Sequence, residues 1–93
     1  MAREERVRII AHGRVQGVFF RSNTEDVANK LGLKGYVRNT PEGNVEVVAE
    51  GAKESLEQLL EWCKKGPVIA HVEKIDIQWS KATGEFEDFS TKY

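Results

Sequence analysis

The feature that most constrains this chain is the order in which its hydrophobic period changes. "RVRIIAH" (6–12) alternates, with Val7, Ile9 and Ala11 on one side and Arg8, Ile10 and His12 on the other, which is the pattern of a half-buried strand. "SNTEDVANKLG" (22–32) comes next with helical character: Ser22 and Glu25 have the S-x-x-E spacing of a capping box, and Gly32 supplies a stop. "KGYVRN" (34–39) and "NVEVVAE" (44–50) return to alternation. The "TPEGN" between them places proline and glycine where a type I turn with a following left-handed residue wants them. "AKESLEQLLEWCKK" (52–65) gathers Leu56, Leu59, Leu60 and Cys63 on one helical face, and Gly66-Pro67 ends it. "HVEKIDIQW" (71–79) alternates through Ile75, Ile77 and Trp79, and "EFEDFSTKY" (85–93) holds a short fifth strand at an edge.

The order βαββαβ predicts an α+β fold: a ferredoxin-like sandwich in which an antiparallel sheet carries two helices on one face. The other face of the sheet can stay wet. The chain has 93 residues, which predicts one domain over 1–93. It has one cysteine, Cys63, so no intrachain disulfide forms and a reducing compartment fits. "MAREERV" shows no apolar leader, and no stretch approaches the ~20 apolar residues of a membrane helix. The expectation is a monomer in the cytoplasm. A formal net charge of -1 disfavours bulk nucleic-acid binding.

The topology has a consequence for "GRVQGVFFR" (13–21). Strands joined through a helix run parallel with the third strand between them. The ends of the first two therefore share one sheet edge, roughly 10 Å apart at two strand spacings. That brings the 13–21 loop near Asn39. Gly13 and Gly17 permit positive φ. Successive loop N–H groups can form an anion nest, and the loop feeds a helix N-terminus. Arg21 adds a planar fork matched to phosphate oxygens. Neither G-x-x-x-x-G-K-[ST] nor G-x-G-x-x-G occurs, so an ordinary NTPase or dinucleotide fold is disfavoured. From the residues alone, a phosphate site and a plain strand–helix connection both stand.

"GRVQGVFFR" resembles the acylphosphatase pattern G-x-V-Q-G-V-x-F-R at all nine positions. "GYVRNTPEGNVEVVAEG" (35–51) is similar to that family's second block, with its G-[WY]-V-x-N core. The resemblance implies the same fold. It also implies metal-free, cofactor-free hydrolysis of acyl phosphates to a carboxylate and inorganic phosphate. By the same resemblance Arg21 binds phosphate and Asn39 orients the attacking water. The backbone of Val15, Gln16, Gly17, Val18, Phe19 and Phe20 would cradle the phosphoryl oxygens.

The remaining chemistry-bearing residues have plainer readings. Arg14 and His12 fit the rim, His71 a structural place, and Cys63 the core. Ser22 is explained by the capping box, and Glu54, Glu57 and Glu61 by a solvated helix face. Tyr36, Phe19 and Phe20 are candidates to contact the acyl group. Two rival functions exist on this fold. RNA binding by stacking wants aromatics on the central strands, and "RVRIIAH" and "NVEVVAE" have none. A non-catalytic anion or metabolite sensor would keep Arg21 and the loop without needing Asn39.

Overall fold

A computed structural model describes residues 4–93. The opening "MAR", part of the leader-free reading above, lies outside the described residues. The elements are β1 (Glu4–Arg14), α1 (Phe20–Lys30), β2 (Lys34–Asn39), β3 (Val45–Ala52), α2 (Lys53–Lys65), β4 (His71–Lys81) and β5 (Phe89–Lys92). The sheet order is β4-β1-β3-β2-β5. β1 lies antiparallel to both β3 and β4, and β2 antiparallel to β3. The ferredoxin-like arrangement stands, with one refinement: β5 runs parallel to β2, Gly35 opposite Phe89, so the sheet is mixed.

Both helices pack on one face. The alternation in β1 sends Val7, Ile9 and Ala11 into that core, and β3 contributes Val45, Val47 and Ala49. Leu56, Leu59, Leu60 and Cys63 come down from α2, with Phe20 and Ala28 from α1. Each fully buried aliphatic side chain contributes about 1.5–3 kcal/mol. Cys63 sits in this core, where burial pushes its thiol up to about 12, so it is a packing residue.

The capping box does not form. α1 begins at Phe20 and Phe19 is its N-cap, with no side-chain cap. Ser22 Oγ instead donates to the Phe19 carbonyl at 3.3 Å. Glu25 accepts from Thr91 Oγ1 at 2.5 Å, which ties α1 to β5. Burial of Phe20, 1% exposed and edge-on to Trp62 at 5.4 Å, moves the helix start two residues ahead of the polar signal. The C-terminal signal holds. Gly32 N–H donates to Asn29 O and Leu33 N–H to Ala28 O, the two bonds of a Schellman motif.

The second face of the sheet is polar but ordered. Glu46 is 4% exposed and accepts from Arg8 Nε at 2.7 Å and Arg38 Nε at 2.5 Å. Burial alone would raise its carboxyl pKa, and the two guanidiniums override that and lower it. Glu50 is likewise buried, under Arg6, Thr83 and Gly84. β4 is an outer strand. Ile75 is half-buried against the core, but Ile77 and Trp79 stay exposed, so the alternation of β4 reaches the core only at its start. Charged Glu73, Lys74, Asp76 and Lys81 occupy this edge, the usual guard against strand pairing between molecules.

Candidate active site

The loop is shorter than its sequence block. β1 runs to Arg14 and α1 starts at Phe20, leaving residues 15–19 between them. A register shift between His12 and Gly13 breaks the pairing of β1 with β4 just before the loop, and such bulges bend a strand and redirect the chain beyond it. Two valines then anchor the loop: Val15 is 1% exposed and Val18 8%. Phe19 takes φ 64, the one positive φ outside glycine among the described residues. That turn puts its ring outside, 70% exposed, while the ring of Phe20 goes into the core.

A cavity of about 260 Å³ opens over this loop, lined by Val15, Gly17, Phe19, Phe20, Arg21, Ser22, Asn39, Thr91 and Tyr93. The volume lies just below the roughly 300–1,000 Å³ common for small-molecule sites. Arg21 and Asn39, eighteen positions apart in sequence, thus face one space. Asn39 ends β2 opposite Val45. Its Oδ1 is buried and has no hydrogen-bond partner.

Arg21 differs from three arginines of the sheet. Arg6, Arg8 and Arg38 each pair with a glutamate. Arg21 forms no ion pair among the described residues. Its Nη1 donates to the Lys92 carbonyl at 3.3 Å, and its guanidinium lies 4.8 Å from the Tyr93 ring centre. Among the described residues, no amide from Gln16 to Phe20 donates to a backbone carbonyl. The first turn of α1 adds N–H groups without intrahelical acceptors. The guanidinium and the helix N-terminus at this edge are both positive, which suits an anion.

Six of the eight residues expected at the site line the cavity: Val15, Gly17, Phe19, Phe20, Arg21 and Asn39. The side chains of Gln16 and Val18 do not. Val18 packs into the core. Gln16 Nε2 donates to the carbonyls of Thr40 at 2.9 Å and Asn44 at 2.8 Å, clasping the loop to the β2–β3 turn. Tyr36 is not an acyl contact: it lies on the other sheet face, edge-on to Phe86 at 5.9 Å and bonded to Glu46. Phe20 reaches the cavity only as part of its floor. His12 is held by Asp76 at 2.7 Å, away from the lining. Ser22, Thr91 and Tyr93 join the lining without having been singled out for it by sequence reasoning. The hydroxyl of Ser22 is masked by its capping signal, and the other two depend on how β5 docks.

A glycine loop, an arginine without an ion pair among the described residues and a neutral amide gather at one edge of a ferredoxin-like sandwich, an arrangement suited to a small anionic ligand. Residues 7–91 match the Acylphosphatase family model. An acylphosphatase of Methylococcus capsulatus is 48% identical over 86 residues, covering 92% of this chain and 94% of its own. One from Pyrobaculum calidifontis is 49% identical over 86 residues, covering 91% and 78%. The crystal structure of acylphosphatase from Bacillus subtilis superposes with a TM-score of 0.91 at 37% identity, covering 96% of this chain and 99% of that one. The chain belongs to the acylphosphatase family.

Proposed function

We propose that this acylphosphatase hydrolyses the carboxyl–phosphate bond of acyl phosphates without a metal. Arg21 and the amides of residues 15–20 hold the phosphoryl oxygens, and Asn39 orients the water. The observation that carries the reading is Asn39, which lines the cavity and whose Oδ1 has no hydrogen-bond partner, together with an arginine there free of any ion pair among the described residues. An acceptor left so costs about 1–3 kcal/mol. A water donating to it would remove that cost and keep a lone pair free to attack phosphorus.

Little else is required of the protein. The leaving carboxylate has a conjugate acid of pKa about 4 and departs without a general acid. The transition state is loose, with its charge on three equatorial oxygens. Fixed N–H donors and a guanidinium meet that charge with little reorganisation. Among the described residues, no aspartate, glutamate, histidine, lysine or cysteine lines the cavity. The water's proton therefore passes to a phosphate oxygen of the substrate. A monomer in the cytoplasm, acting on a small acyl phosphate, belongs to the same reading.

The test is hydrolysis of benzoyl phosphate in excess EDTA, with inhibition by inorganic phosphate measured alongside. Asn39→Ala should cut kcat by roughly 10²-fold or more while phosphate still binds. Arg21→Ala should lose both. A folded wild type that binds phosphate and turns nothing over would make the loop a sensor's anion cradle. Full activity in Asn39→Ala would remove the role given to that amide.

A further inference from the structure

The cavity is flanked by rings that the phosphate chemistry does not use. Phe19 and Phe20 are neighbours with opposite fates: one is 70% exposed and the other 1%. The left-handed backbone at Phe19 produces this split, and bulky residues seldom adopt it. Tyr93 is fully exposed and has its ring over the Arg21 guanidinium. The exposed large apolar residues among those described are Phe19, Val68, Ile69, Ile77, Trp79 and Tyr93. Of these six, Phe19 and Tyr93 line the cavity. An apolar ring kept in water beside a charged site gains most from a ligand that is charged at one end and apolar at the other.

We propose that Phe19 and Tyr93 are specificity-determining residues. They form two aromatic flanks that receive the acyl group, and they favour aromatic or longer acyl phosphates over acetyl phosphate. The inference rests on the phosphate being held at Arg21, as proposed above. With phosphate there, the ring stacked on that guanidinium is placed to meet the acyl group joined through the bridging anhydride oxygen. The charge that develops on the leaving group collects on its carboxylate oxygens, whereas the rings meet the apolar remainder of the acyl group, which stays uncharged throughout. Its contacts are accordingly alike in ground and transition states, and they act on KM more than on kcat.

The experiment measures kcat and KM for acetyl, butyryl and benzoyl phosphate with wild type, Phe19→Asn and Tyr93→Ser. Asparagine is chosen because it tolerates the left-handed backbone. The quantity read is the ratio of kcat/KM for benzoyl over acetyl phosphate. Damage to the shared phosphate site cancels in that ratio. Each variant should lower it about threefold to tenfold, the size of one aromatic contact, mainly through the KM for benzoyl phosphate. Phe19→Tyr and Tyr93→Phe should keep the wild-type ratio. A ratio unchanged in both ring-removing variants overturns the proposal, as does a change confined to kcat. A wild type that hydrolyses none of the three substrates overturns the enzymatic reading itself, an outcome distinct from an active enzyme with no acyl preference.

Discussion

Replacing Gln16 with alanine tests whether the site depends on a clasp between two separate parts of the chain. Gln16 Nε2 bridges two carbonyls, Thr40 O at 2.9 Å and Asn44 O at 2.8 Å. Both belong to the turn that begins right after Asn39. Each carbonyl has a second donor, since Thr40 O accepts from Gly43 N–H and Asn44 O from Thr40 N–H. Truncation therefore removes two hydrogen bonds without orphaning an acceptor, and the stability loss should be about 1–2 kcal/mol. The loss in rate should be larger. On the proposed mechanism the loop holds the phosphate and β2 the water, and a misplacement of about 1 Å between reacting groups can cost about 10²-fold. We expect Gln16→Ala to lower kcat for benzoyl phosphate by about 10- to 100-fold, with a much smaller change in phosphate inhibition. Urea unfolding run in parallel establishes that the variant is folded under assay conditions. A variant that loses the expected stability but keeps its kcat would refute the argument, and the clasp would then serve folding alone.

Two other predictions concern stability. Burial by itself would raise the Glu50 carboxyl, but the Thr83 N–H, Arg6, the Gly84 N–H and the Thr83 hydroxyl together lower it from 4.5 to about 2. A group depressed on folding stabilises fully above its unfolded pKa and loses that contribution as pH falls through the folded value. Acid titration of the unfolding free energy should show about 3 kcal/mol lost from this group between about pH 4.5 and 2, and Glu50→Gln should flatten that limb. A limb of equal depth in the variant would exclude Glu50 as its source. The loop glycines should respond unequally to alanine. Gly13, at φ 122, would drive its new Cβ onto the His71 carbonyl, whereas Gly17, at φ 73, has open space beside it. We expect about 2–4 kcal/mol lost for Gly13→Ala and about 1–2 for Gly17→Ala, read from urea midpoints. Equal losses would contradict the close approach at Gly13.

The parts of the molecule legible in sequence are those set by local periodicity. β1, the β2–β3 hairpin and the apolar face of α2 arise from residues a few positions apart, and the structure has them where the alternation puts them. The order of periods also points to Arg21 near Asn39, because in the split arrangement it predicts β3 lies between β1 and β2, where the structure has it. Long-range packing decides the rest. The start of α1 goes to the residue that fills the core, Phe20, over the polar pair Ser22 and Glu25. Glu46 and Glu50 sit at alternating positions that imply water, yet arginines from other strands cover them. Thr91 and Tyr93 join the cavity only because β5 docks parallel to β2, and nothing within "DFSTKY" announces that partner.

The placement of charge explains why a neutral amide stands at position 39. The guanidiniums of Arg6, Arg8 and Arg38 are spent on Glu50 and Glu46 across the open face of the sheet. Arg21 is left with a carbonyl and an aromatic ring, neither of which cancels its charge. An aspartate in place of Asn39 would supply a counterion to that cavity and fill the anion's role from within. Histidine would bring a titrating proton to chemistry whose leaving group needs none. An amide accepts from a water without opposing a phosphate. Hydrolysis of so labile a bond asks for oxygens held in place and a water held in line. On that account this fold can supply both with one strand end, one clasped loop and one cation in the cavity without a counterion among the described residues.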